Sequence, residues 1–134
     1  MICLVSDLKM LNYHLEEIPE AAYSILEHAV NPTTIVYDKP LRVSENLIAA
    51  DNTLAIRMIK KGFCVDLLKK FKKPIVSTSA NIAGKLTPKT FQEIDEYILK
   101  GVDYVVNLER TKKASKPSSI IKLGNNGEVK VIRK

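Results

Sequence analysis

The chain opens on Ile2-Cys3-Leu4-Val5, an apolar run with the length and continuity of a buried strand. Apolar positions then move to helical spacing. Ser6 or Asp7 can cap a helix through Leu8, Met10, Leu11 and Leu15, and Pro19 followed by Glu20 opens a second through Ala22, Ile25, Leu26 and Ala29. Both are amphipathic, so each has one face to bury. Asn31-Pro32 stops the second helix, and the β-branched Thr33-Thr34-Ile35-Val36-Tyr37 reads as a strand ending at Asp38-Lys39-Pro40. Leu47 to Ala50 and Leu54 to Met58 flank Asp51-Asn52, a pair that turns the chain readily, which predicts a hairpin. Along its second arm the two-residue period puts Thr53, Ala55 and Arg57 on one face.

Gly62 to Phe71 predicts a helix with Phe63, Val65, Leu67, Leu68 and Phe71 available to its core face. It delivers the chain to a short strand begun by Pro74. Thr87 or Pro88 leads into a helix through Phe91, Ile94, Ile98 and Leu99 that ends near Gly101, and Asp103 to Val106 predicts a strand. Glu109 to Lys116 is a charged loop without periodicity. Gly124-Asn125-Asn126-Gly127 joins Ser119–Leu123 to Glu128–Ile132 as a strong hairpin signal. Strands alternating with helices, plus two hairpins, predict a compact α/β domain with a mixed twisted sheet. With 134 residues, no repeat and no linker, the expectation is a single domain over residues 1–134.

Composition narrows the function classes. At 46% apolar residues the chain is not a disordered one, and no apolar run approaches a membrane span, so a membrane partner is not expected. The first residues do not read as a signal peptide, and the expected location is a reducing cytoplasm. Cys3 and Cys64 form no C-x-x-C pair and are expected as buried or half-buried thiols. His14 and His28, each in a helical stretch, support neither a zinc site nor a catalytic triad. A net charge of +6 and a pI near 9.3 favour anionic partners such as nucleotides or RNA. The lysine doublets are scattered, as on solvated faces.

The most informative stretch follows Pro74. Ile75-Val76 breaks into Ser77-Thr78-Ser79-Ala80-Asn81-Ile82-Ala83-Gly84, a strand ending in small hydroxyl side chains. Such residues let a ligand approach the backbone and offer oxygens suited to phosphate, carboxylate or ribose. Ser77 and Ser79 occupy successive same-face positions, so both hydroxyls can meet one ligand. An ordinary Ser-rich turn is the competing reading. Residues 77–84 resemble the S-x-S-A-N-x-S-G signature of the YrdC-like family, the threonylcarbamoyl-AMP synthases. Thr53-Leu54-Ala55-Ile56-Arg57 before it, and Pro117-Ser118-Ser119-Ile120-Ile121 and Val131-Ile132-Arg133 after it, resemble the family in the same order.

That resemblance implies the YrdC-like α/β fold, a twisted mixed sheet with flanking helices and a concave ligand-binding face. It implies an enzyme combining L-threonine, bicarbonate and ATP into threonylcarbamoyl-AMP and pyrophosphate, for modification of the adenosine beside the tRNA anticodon. By resemblance, Arg57, Ser77 and Ser118 bind threonine, and Thr53, Ser79, Thr87 and Arg133 contact nucleotide. No side chain is expected as a nucleophile, and Mg²⁺ is expected to arrive on the ATP phosphates, since no carboxylate cluster reads as a metal cage. The strand Thr33-Thr34-Ile35-Val36-Tyr37 resembles the family's P-G-P-x-T strand, and the chain departs from the family in four places, the first being that strand's Pro-Gly, reduced here to Asn31-Pro32. Ile59-Lys60-Lys61 replaces a V-P-D-H-like turn, Ala83 replaces a Ser, and the family's P-T-E-T-Y-G-L-like segment and K-x-R pair are not in this sequence. Those departures imply an N-terminally truncated version, for which two alternatives stand beside the synthase. One is a module that binds tRNA, double-stranded RNA or nucleotide without full catalysis. The other is a structural fragment that dimerises or pairs with the missing N-terminal segment.

Overall fold

The computed structural model describes residues 1–134 and resolves them into two compact units, Met1–Ser77 with Ser118–Lys134, and Thr78–Pro117. The first unit holds a six-stranded sheet in the order β4-β1-β3-β2-β5-β6, formed by β1 (Ile2–Val5), β2 (Thr33–Asp38), β3 (Thr53–Met58), β4 (Ile75–Ser77), β5 (Ser119–Leu123) and β6 (Val129–Arg133). β1 runs parallel to β3 and β2 parallel to β5; the other neighbours are antiparallel. The sheet is therefore mixed.

Register sorts the side chains onto two unlike faces. Cys3 lies opposite Ile56 and Val76, Ile56 opposite Ile35, and Ile35 opposite Ile121, an apolar row across five strands. Leu11, Leu15, Ile18, Ala22 and Leu26, from the helical segment after β1, join that face in one core cluster. Each fully buried aliphatic side chain contributes about 1.5–3 kcal/mol, enough to fix which face points inward. The opposite face carries Leu4 beside Arg57, Ala55 beside Val36, Asp38 beside Thr53 and Ile2 beside Ser77. It is mixed in polarity and largely half-buried.

Helix α1 (Leu8–Tyr13) starts where expected, because the Asp7 carboxylate accepts the Met10 amide at 2.8 Å. That bond first, and the Ser6 hydroxyl second, hold the Asp7 carboxyl below the usual carboxylate range. A depressed value means the cap contributes fully above the unfolded carboxyl value of about 3.9 and is lost as pH falls through the folded one. Asp7→Ala is expected to cost about 1 kcal/mol near pH 6 and clearly less near pH 2.5, read by urea unfolding at the two values. An equal deficit at both would rule out the charged cap.

Pro19 sets the start of α2 (Glu20–His28), and α3 (Phe63–Phe71) ends on Lys72 in the left-handed region. On α3 only Val65 and Leu68 are buried; Phe63, Leu67 and Phe71 are exposed, contrary to the five-residue core face expected. The hairpin expected around Asp51-Asn52 is a tight turn only. Asn52, with φ +59°, reverses the chain, but the preceding segment is a single 3₁₀ turn (Glu45–Leu47) and β3 pairs with β1 and β2 instead. The β5–β6 hairpin forms as read, with Gly127 at φ +88°, a backbone shape that disfavours any residue with a Cβ. His14 is buried at the end of α1, its Nδ1 3.2 Å from the Leu41 carbonyl oxygen. Cys3 is buried and its thiol pushed up by that burial, whereas Cys64 is exposed, which corrects the expectation for the second cysteine.

The second unit contains a 3₁₀ turn (Phe91–Glu93) and α4 (Glu96–Gly101) where a single helix was expected. Asp95 divides them: its carboxylate accepts the Tyr97 amide at 2.8 Å and starts a fresh helix. Asp103 to Val106 forms no strand, because its apolar run pairs with no partner strand. No helix is long and apolar enough to cross a membrane.

Candidate functional site

The sheet face opposite the core carries five of the seven residues singled out in the sequence. β3 lies between β1 and β2, which holds the stem of Arg57 in place beside Leu4 and leaves the side chain half-buried. The guanidinium makes no side-chain hydrogen bond within the chain. The four ion pairs, Lys39–Glu16, Lys100–Glu96, Lys112–Glu109 and Lys122–Asp51, do not involve it. A surface salt bridge therefore does not account for this arginine. A half-buried fork of five N–H donors without an acceptor is suited to a planar carboxylate or a phosphate.

Continuing the β2–β3 register places Thr34 alongside Arg57, Thr34 lies opposite Ile120, and Ile120 lies opposite Arg133. One row thus runs from Arg57 to Arg133 across four strands, a span of roughly 14 Å from the usual strand spacing. Thr34 is fully buried, and its hydroxyl is 2.8 Å from that of buried Ser118. Arg133 donates from Nε and Nη2 to the Ser118 carbonyl at 2.9 and 2.7 Å. Ser118 is thereby fixed at both its side chain and its backbone. Thr34→Val is expected to leave the Ser118 hydroxyl without that partner and to cost about 1–3 kcal/mol in urea unfolding. The double variant Thr34→Val/Ser118→Ala should recover most of the loss; two additive losses would show that the pair is not coupled.

Thr53, also buried, donates its hydroxyl to Asp51 at 2.6 Å, and Lys122 Nζ reaches the other carboxylate oxygen at 2.9 Å. The Thr53 hydroxyl first, and then Lys122, hold the Asp51 carboxyl below its ordinary range, while Asp51 raises the Lys122 ammonium. In this arrangement the Thr53 hydroxyl proton is already committed to Asp51. Ser77 closes β4, opposite Ile2, and is half-buried. No three His, Cys, Asp or Glu side chains converge as a metal cage.

Ser79 and Thr87 belong to the second unit, where both are exposed. Their loop is braced by Asn81, whose Nδ2 donates to the carbonyls of Ile82 at 3.0 Å and Lys85 at 3.1 Å. Asn81 Oδ1 is buried without a partner, and Gly84 turns the chain at φ +80°. Thr34 is the residue that sequence reasoning read only as part of a β-branched strand. Its partner lies 84 positions away, and the one available signal was that its strand resembles a family segment ending on Thr.

The Sua5/YciO/YrdC family model, described as telomere recombination, matches residues 1–134. A Methanocaldococcus jannaschii protein with the provisional name threonylcarbamoyl-AMP synthase is 47% identical over 92 residues, which cover 69% of this chain and 42% of that protein. The crystal structure of Pyrococcus abyssi Sua5 in complex with L-threonine superposes with a TM-score of 0.76 at 23% identity, over 91% of this chain and 36% of that one. Escherichia coli YciO superposes with a TM-score of 0.80 at 21% identity, over 99% and 64% of the two chains. At these identities the two structures establish the fold alone. The chain spans less than half the length of the first two of these relatives.

Proposed function

Because the chain belongs to the Sua5/YciO/YrdC family, we propose that its open sheet face binds L-threonine and ATP and forms threonylcarbamoyl-AMP, the intermediate for tRNA adenosine modification beside the anticodon. The observation that carries this reading is Arg57, a half-buried guanidinium with no acid of its own. The threonine carboxylate would occupy it bidentately, as two parallel N–H···O bonds. Ser77 and Ser118 would flank the amino acid. The threonine nitrogen takes up bicarbonate with loss of water to give a carbamate, whose oxygen attacks the α-phosphorus of ATP and expels pyrophosphate. Two anions that repel each other must then be held together, a task for positioned basic and hydroxyl groups rather than for a nucleophile. Thr53, Ser79, Thr87 and Arg133 are the proposed nucleotide contacts, and magnesium is proposed to arrive on the triphosphate.

Thermal unfolding with ATP-Mg²⁺, L-threonine, both together, and L-serine as control tests the reading, followed by pyrophosphate release. A midpoint rise that needs both ligands and prefers threonine is the expected result. No shift with any combination would remove self-sufficient synthesis. A second reading rests on the net charge of +6: a module that binds nucleotide or RNA without completing the reaction. It predicts salt-sensitive RNA binding with no threonine dependence.

A further inference from the structure

On the helix-covered side of the sheet, away from Arg57, the first unit contains a half-open cleft of about 1060 Å³. Its rim is basic. Lys9, Lys69, Lys72 and Lys73 line it and take part in none of the four ion pairs, and Arg42 lines it as well. Asp7 is the only acidic residue in the lining, and its carboxylate is already engaged by the Met10 amide and the Ser6 hydroxyl. The floor is apolar, with Met10, Val43 and Leu47 half-buried and Val76 exposed on the edge strand β4.

The two halves of this lining ask for different things from one occupant. The lysines want anions, and the floor wants apolar side chains to exclude water. A nucleic-acid backbone would answer the first and leave the floor wet. Nor does the cleft offer a free stacking platform: its aromatic side chain, Tyr13, has the Arg42 guanidinium 4.6 Å above its ring centroid and forms a T-shaped pair with His14, centroids 5.0 Å apart. Arg42 is held in that position by donating to the Tyr13 carbonyl at 2.7 Å. An amphipathic helix with an apolar stripe and acidic flanks answers both halves at once, in the manner of helix-in-groove recognition. We propose that this cleft docks an acidic amphipathic helix of a partner protein. The inference does not depend on the substrate reading, since the cleft and Arg57 lie on opposite faces of the sheet.

The test is fluorescence anisotropy of the full chain with a labelled peptide of about 16 residues, Leu at helical i, i+3, i+4, i+7 spacing and Glu on both flanks. A peptide of identical composition with its leucines dispersed is the control, and an unlabelled duplex RNA of about 20 base pairs is the competitor. The patterned peptide is expected to bind about tenfold more tightly than the dispersed one. Lys69→Glu/Lys72→Glu/Lys73→Glu should weaken it by at least about tenfold by reversing the rim, and Val76→Asp by about fivefold by charging the floor. Lys73→Glu alone serves as the deciding rim variant if the triple substitution lowers the melting temperature. Equal binding of the two peptides, displacement by the RNA at lower concentration than by unlabelled peptide, or unchanged binding in folded Lys73→Glu and Val76→Asp would each overturn the proposal.

Discussion

Replacing Arg57 by alanine is expected to weaken L-threonine binding about 100-fold while leaving the ligand-free protein as stable as before. Hydrogen bonds to a charged partner are worth roughly 1.5–3 kcal/mol each, and a bidentate carboxylate makes two, so a loss near 3 kcal/mol is a discounted figure for a half-exposed site. The stability half of the prediction comes from what Arg57 lacks. It forms no ion pair and no side-chain hydrogen bond within the chain, so its removal orphans nothing. Arg57→Lys keeps the charge but not the fork, and should lose about tenfold. Calorimetric titration with threonine in the presence of ATP-Mg²⁺ reads both variants, and a thermal scan without ligand reads the fold. Threonine affinity unchanged in the alanine variant would take the amino-acid site away from this face.

The largest stability loss is expected at Ile35. It is fully buried in β2, opposite Ile56 on one side and Ile121 on the other, so it is enclosed by apolar neighbours along the sheet as well as by the helical layer. Truncation to alanine removes three carbons and leaves a void that interior strands cannot close. A cost of about 3–4 kcal/mol follows, a large share of the stability of a chain this size. Urea unfolding should show the midpoint falling with an unchanged slope. A loss below about 1 kcal/mol would mean that the sheet relaxes into the space and that the core is less tightly fixed than its register implies.

Local chemistry made much of the fold legible. Asp7 announces α1 because a carboxylate three residues before a free amide caps it, and Pro19 announces α2 because its missing N–H costs nothing there. Gly124 to Gly127 announces the β5–β6 hairpin for the same kind of reason. What failed were readings that depended on a distant partner. Asp103 to Val106 has strand composition, but a strand needs a neighbour, and none is available to it. Asp51-Asn52 has turn composition and does turn the chain, but no hairpin forms around it, since the partners of β3 are β1 and β2 from elsewhere in the chain. The candidate site divides in the same way. Alternation along β3 sufficed to put Thr53 and Arg57 together on one face. That Thr34 and Ser118 share a hydrogen bond is a fact of packing across 84 positions, which no local pattern carries.

The parallel pairing of β2 with β5 constrains how the chain reaches its final form. Thr33 finds its partner only in Ser119, and the whole of the second unit is synthesised between them. Until then one hydrogen-bonding edge of β2, the strand that carries the core residues Ile35 and Tyr37, stands open on the nascent chain. Closing so long a loop carries an entropic cost that no local contact offsets, which makes this pairing a late and slow event of assembly. The sheet should therefore acquire protease resistance only after the β5–β6 hairpin has left the ribosome.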